Sequence, residues 1–235
     1  MAQLVFILGN SGTGKSRSIK TLPMEETLVI NVNNKPLPFK NSYTKLDSKT
    51  KTGNIISIDN AETIMKMITQ TINLGMKFNY IIIDDFNYLM SNEFFYRAKE
   101  KGYEKFTDIG KKMFDLFNFI RNNIPNNVIV FLLAHTEIIA TQDGIITKIK
   151  TIGKLLDEKY TLEGLATIVL GTLVKKDASA NKLEYYFVTQ NDGTNTLKSP
   201  EEMFDGLEIP NDLGYVATKI KEYYPIIFNQ EVKWK

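Results

Sequence analysis

Gly9-Asn10-Ser11-Gly12-Thr13-Gly14-Lys15-Ser16 is the stretch whose reading decides this chain. The apolar run Leu4-Val5-Phe6-Ile7-Leu8 leads into it, and Arg17 to Leu22 behind it reads as a helix. The pattern is G-x-x-x-x-G-K-[ST] between a strand and a helix, the phosphate-binding loop. Its glycines let the backbone curl so that successive N–H groups face a polyphosphate, and a helix N-terminus adds partial positive charge. Lys15 supplies a mobile point charge for the β- and γ-phosphates, and the Ser16 hydroxyl is a ligand for Mg²⁺. Arg17 closes the cofactor-binding stretch. The expectation is a site for ATP with Mg²⁺.

Working outward, Thr27 to Val32 reads as a second strand, followed by a connection over 33–54 with five lysines against one acid, Asp47. A 22-residue connection inside a domain is uncommon and is usually functional or mobile. Ile55 to Ile58 is a short strand candidate. Asp59 with Glu62 marks a helix start, Ile64, Met67, Ile68 and Ile72 recur at helical spacing, and Gly75 ends that helix. Tyr80-Ile81-Ile82-Ile83 is a buried strand running into Asp84-Asp85. Four apolar residues ending in an acid form the second half of a phosphate-loop site, with Asp84 expected beside the loop to hold the waters of Mg²⁺.

Helical stretches follow over Phe86 to about Lys101 and from about Glu104 to Asn122. Val128 to Ala134 is a third buried strand, ending at His135-Thr136-Glu137, where His135 with Thr136 is a candidate γ-phosphate sensor. Ile138 to Ile149 reads as a hairpin turning at Asp143-Gly144, and Lys154 to Glu163 as a short helix. Leu165 to Val174 and Leu183 to Thr189 read as strands, and Asn211 to Tyr224 as a terminal helix capped by Asn211 or Asp212. The fold class is α/β: a mostly parallel sheet flanked by helices, with antiparallel strands added in the C-terminal third. One domain is expected over 1–235, its core about 1–175 and its C-terminal strands and helix about 176–235.

Composition narrows the chemistry. Hydrophobic content of 43% and charged content of 24% suit a soluble globular chain. With no cysteine and a single histidine, disulfides, thiolate zinc sites and polyhistidine metal centres are excluded. No apolar run reaches the roughly 18 residues a membrane span needs, so a cytoplasmic protein is expected. A net charge of +2 permits a nucleic-acid partner only where lysines cluster. Phe94 to Lys112 offers such a cluster: Arg97, Lys99, Lys101, Lys105, Lys111 and Lys112 among Phe94, Phe95, Tyr96, Tyr103 and Phe106. The alternative is two amphipathic helices with core aromatics and solvated lysines. The 33–54 connection and the hairpin lysines Lys148 and Lys150 are further candidates.

The phosphate loop, Asp84-Asp85, His135-Thr136 and the late segments Lys198 to Phe204 and Ile209 to Leu213 together resemble phage-encoded, RecA-like P-loop ATPases of the single-strand annealing type. That resemblance implies an ATPase acting with single-stranded DNA in phage recombination or replication. It also implies a homo-oligomer in the host cytoplasm, with a phage single-strand-binding or replication protein as a further partner. Such enzymes carry a catalytic glutamate just after the second strand, and here Asn33-Asn34-Lys35 stands in its place. Asp85, Glu137 and Asp59 are the carboxylates that can substitute, and Asp85 is favoured because it adjoins the metal-binding acid. Lys198 is a candidate finger reaching a neighbouring subunit's γ-phosphate, as a group supplied in trans does in other phosphate-loop enzymes. Two other classes stay open: a small-molecule kinase, disfavoured by only three unclustered arginines, and a regulatory switch that barely hydrolyses.

Overall fold

A computed structural model describes residues 2–141, 144–153, 160–177, 179 and 181–229. The segment before the loop is β1 (Gln3–Leu8), and its alternation splits it between two cores, Val5 and Ile7 on one face, Phe6 and Leu8 on the other. The parallel strands β2 (Thr27–Asn31), β3 (Ile55–Ile56), β4 (Tyr80–Asp84), β5 (Ile129–Ala134) and β8 (Ile168–Asp177) share its sheet. They read as near-continuous apolar runs because helices cover both faces. A separate two-stranded hairpin, β6 (Thr136–Thr141) and β7 (Gly144–Ile149), follows β5. Beyond β8 come β9 (Lys182–Val188) and β10 (Glu208–Pro210), each antiparallel to the strand before it in the sheet. The sheet order is β10-β9-β8-β1-β5-β4-β2-β3.

On one face lie α1 (Ala61–Asn73), α2 (Tyr88–Tyr96) and α3 (Glu104–Asn123). Phe6, Phe86 and Phe117 meet there with centroids 5.7 to 6.4 Å apart, joining β1, the end of β4 and α3. On the other face lie the short helix behind the loop and α4 (Leu213–Tyr223), whose Leu213, Val216, Ala217 and Ile220 recur at helical spacing. A last turn, α5 (Pro225–Phe228), follows. Strands from both ends of the chain share one sheet, and β8 straddles the boundary expected near residue 175. Among the described residues, no helix is long and apolar enough to cross a membrane.

Several local expectations are revised. The helix behind the loop is a six-residue 3₁₀ helix, Ser16–Thr21, so few peptide dipoles align with the loop and its own N–H groups carry more of the field. Asn60, not Asp59, caps α1 by accepting from the Thr63 N–H, while Asp59 accepts from the Tyr96 hydroxyl. Asp212 is the cap of α4, accepting from Tyr215 N–H at 2.8 Å. α2 ends at Tyr96 rather than near Lys101, and β3 keeps only two residues. The connection over 33–54 is pinned by backbone bridges, Lys45 with Ile55 and Asp47 with Thr52. Of the short helix expected over Lys154 to Glu163, residues 154–159 lie outside the described residues, as does Asp143 of the hairpin turn; Leu162–Leu165 form a 3₁₀ turn.

Phe117→Ala removes the ring that closes the aromatic triad in a site 4% exposed. It should lower unfolding free energy by about 3–5 kcal/mol, read from the urea midpoint at unchanged slope.

Candidate active site

β1 is flanked by β8 on one side and β5 on the other, and the chain leaves it for strands beyond β5. That makes the C-terminal end of β1 the point where strand order reverses, the place where open α/β sheets hold ligands. The loop 9–16 sits there. Gly9 must be glycine because a Cβ would stand 1.7 Å from Thr172 Oγ1 on β8. Gly14 has φ +100°, and its Cβ would crowd Tyr185 and Asn211. Thr172 Oγ1 bonds Thr13 Oγ1 at 2.6 Å and donates to the Leu8 carbonyl, so β8 holds the loop from its far side. Thr136 Oγ1 donates to the Asn10 side chain at 3.1 Å and holds it from the near side.

Lys15 is buried, its ammonium donating to the Gly9 and Asn10 carbonyls at 2.8 and 2.9 Å. Burial pushes its pKa down to about 8, against the pull of Asp85 and Asp84. The Ser16 hydroxyl donates to Asp84 Oδ1 at 2.9 Å. Burial raises the Asp84 carboxyl to about 6, with the Ser16 hydrogen bond opposing it. Asp84 lies beside the loop although β5 stands between β1 and β4, because the Ser16 and Asp84 side chains bridge the gap.

Asp85 adopts φ +60°, a left-handed conformation that costs an aspartate about 1–3 kcal/mol. The bend turns Asp85 into the cleft and sends Phe86 to the core, its N–H bonded to the Leu133 carbonyl at 2.9 Å. Asp85 Oδ2 accepts from Asn33 Nδ2 and Lys35 Nζ, both at 2.8 Å, and its Oδ1 lies 3.3 Å from His135 Nε2. Burial pushes this carboxyl up, but the bonds from His135, Lys35 and Asn33 outweigh it and hold it well below the usual carboxylate range. His135 Nδ1 stands 3.5 Å from the Lys15 ammonium, which can only donate. Nδ1 therefore accepts, and the proton sits on Nε2, toward Asp85. A line of groups thus runs Lys15–His135–Asp85–Lys35 along one wall of the cleft.

The cleft encloses about 440 Å³ and is lined by Ser11, Gly12, Gly14, Lys15, Ser16 and Arg17, then by Lys35, Pro36, Pro38, Asp84, Asp85, Tyr88, His135 and Tyr185. Arg17 stacks on the Tyr185 ring at 4.7 Å. These donors fit a polyphosphate: a buried ammonium whose two shortest bonds are to loop carbonyls, and glycines at positive φ at positions 12 and 14. Ser16 and Asp84 fit Mg²⁺, completed by phosphate oxygens and water; no cluster of three His, Cys, Asp or Glu competes among the described residues.

Of the three carboxylates considered for positioning water, only Asp85 reaches the cleft. Glu137 is the pleat neighbour of Thr136, so it points away from the loop, and its carboxylate lies 3.8 Å from Lys148. Lys198 bonds through its backbone to Val169, at a level of β8 paired with Phe6 rather than with the loop. Sequence reasoning missed Asn33 and Lys35 as contributors to this cleft: it read the segment for a missing carboxylate and counted Lys35 among the lysines of a candidate nucleic-acid surface. It also missed Thr172, Tyr185 and Asn87. The Asn87 amide bonds both backbone groups of His135 and the Lys150 carbonyl.

The basic cluster over 94–112 divides. Arg97 is tied to Glu93, Glu100 and Asp108, Lys112 to Glu62 and Glu93, and Lys111 to Asp115. Phe94 and Phe106 stack together below Lys105. Phe95 and Tyr103 are 70% and 88% exposed, beside Lys99 and Lys101, which make no ion pair among the described residues.

Fold and site together define the class: an α/β phosphate-loop protein with a mostly parallel sheet. No family model matches the chain, and no curated protein matches it. Among solved structures, a KaiC-like protein, PH0186, from Pyrococcus horikoshii OT3 is similar at 12% identity and a TM-score of 0.43, over 79% of this chain and 77% of that one.

The raised Asp84 pKa has a stability consequence. Between about pH 4 and 6 the folded state holds a proton that the unfolded chain has released, so this group's contribution falls as pH rises through that window. In nucleotide-free protein Asp84→Asn should therefore be more stable than the parent at pH 7 by about 2–3 kcal/mol. The gain should vanish below about pH 4, where both forms of Asp84 are neutral. Urea titrations at pH 7 and pH 3.5 check both.

Proposed function

We propose that this chain binds Mg-ATP and hydrolyses it, coupled to binding of single-stranded DNA. The observation that carries the nucleotide half is the Ser16–Asp84 bond at 2.9 Å beside a buried Lys15, all at the switch point of the sheet. Lys15 binds the β- and γ-phosphates; Ser16 and Asp84 would hold Mg²⁺, which would supply positive charge toward the phosphate oxygens. Asp85 orients the attacking water. The water oxygen bonds to the γ-phosphorus, the bridging P–O bond breaks with its electron pair on ADP, and the water's proton leaves with the phosphate.

Support for the DNA half is that Phe95 and Tyr103 are exposed in a segment that also carries Lys99, Lys101 and Lys105, aromatic faces for bases and charges for phosphates. The resemblance stated for the sequence adds a role in phage recombination or replication, and a homo-oligomer in which Lys198 serves a neighbour's phosphate. One observation favours a second reading, a switch that hydrolyses only when a partner acts: Asp85 is engaged by three donors before any water arrives.

Turnover measured with and without Mg²⁺ and with and without oligonucleotide separates these readings. Lys15→Ala should lose nucleotide binding while keeping the parent's circular dichroism. DNA affinity should fall with salt by about 0.7 log units per log unit for each phosphate contact. Replacing Lys99, Lys101 and Lys105 together should flatten that slope. No binding to oligonucleotides at low salt, with or without ATP, would remove the DNA half and leave the partner-dependent switch.

A further inference from the structure

We infer that Lys35 meets the terminal phosphate from within the same chain, and that without that phosphate the same ammonium latches Asp85. The inference rests on the nucleotide reading above and goes beyond it by assigning a residue where a carboxylate was expected.

The turn that presents Lys35 is built for a fixed start. Asn31, 5% exposed, spends its whole side chain on one residue: its Oδ1 accepts from the Lys35 N–H at 3.2 Å and its Nδ2 donates to the Lys35 carbonyl. Asn34 between them takes φ +53°, in the region that asparagine tolerates better than most residues. From this clamped backbone the Lys35 side chain, 60% exposed, crosses to Asp85 at 2.8 Å and passes 5.4 Å from the Tyr88 ring centroid. It lines the same cleft as Lys15 and Ser16. The base of the residue is clamped, while its ammonium is held by the Asp85 carboxylate at an exposed position.

Asp85 Oδ2 is saturated in this arrangement, both lone pairs taken by Asn33 and Lys35. A water that approaches the γ-phosphorus on the Oδ2 side needs one of them, while Oδ1 keeps one site beside His135 Nε2. A terminal phosphate carries more charge than one carboxylate, so at similar distance it attracts the ammonium more strongly. Once Lys35 moves to that phosphate, one lone pair on Oδ2 opens for the attacking water. The ammonium then lies where negative charge spreads over the transferring oxygens. The water oxygen bonds to phosphorus, the bond to ADP breaks with its electron pair on the β-phosphate, and the proton leaves on the released phosphate. With ADP alone nothing draws Lys35 away, and the ion pair to Asp85 re-forms.

The test compares Mg-ADP with a non-hydrolysable Mg-ATP analogue by calorimetry, using the parent, Lys35→Gln, Lys35→Arg and Lys15→Ala. Both Lys35 variants should keep the parent's circular dichroism, with a small drop in urea midpoint for Lys35→Gln, which leaves the part-buried Asp85 one partner short. Lys35→Gln should weaken the ATP analogue by about 10–100-fold, the loss of one charged hydrogen bond, and leave ADP affinity unchanged. Its turnover should fall about 100-fold or more, with partial recovery in Lys35→Arg. Equal effects on the two nucleotides, no effect on either, or faster turnover in Lys35→Gln would overturn the inference while leaving the nucleotide site standing. If the parent bound neither nucleotide, the phosphate-loop reading itself would fall and this inference with it.

Discussion

Ser16 and Asp84 are bonded across a strand that belongs to neither of them. β5 separates β1 from β4, so the bond exists only because three strands end at matching levels: Leu8 opposite Ala134, and Ile83 opposite Leu132. A slip of one residue in either pairing would turn the acid to the opposite face and break the site. The registers are held by the two-sided burial of all three strands. Fully buried Phe6, Ile82 and Phe131 have nowhere else to go. The deep apolar core is thus what sets the distance between the metal-binding groups.

The site pays for this placement in charge. Lys15 and Asp84 both lose solvation, and their pKa values shift toward the neutral forms. Asp85 is the exception, because three donors converge on it. A strained backbone, a desolvated ammonium and a desolvated acid collected within one cleft are features that folding alone would not select.

Much of this was legible in the sequence because it is local. The loop pattern, the buried strand ending in Asp84-Asp85, the helical spacing of α1 and α3 and the cap at Asp212 each depend on residues near one another. The loop's reading also named Lys15, Ser16 and Asp84, which the structure brings to one cleft. What was not legible depends on pairing between distant segments. Nothing in residues 27–32 or 128–134 states that β5 enters between β1 and β4. Thr172 and Tyr185 reach the loop only because β8 and β9 are placed beside it. Lys35 was hidden for a different reason: a search for a missing acid does not ask what the residue present might do. The aromatics over 94–112 were ambiguous by periodicity, and burial divides them, Phe94 and Phe106 inward, Phe95 and Tyr103 outward.

Asn87 ties the cleft to the hairpin that projects beyond it. Its amide holds the backbone of His135 on one side and the carbonyl of Lys150, where β7 ends, on the other. His135 in turn receives the Lys150 N–H at its own carbonyl. The hairpin is therefore closed at its base by the same residue whose ring touches Lys15 and Asp85. A rotation of β6 and β7 as a rigid lever must either carry that ring with it or break the Asn87 bonds. The imidazole and the base of the hairpin thus share one buried anchor, so the position of each constrains the other.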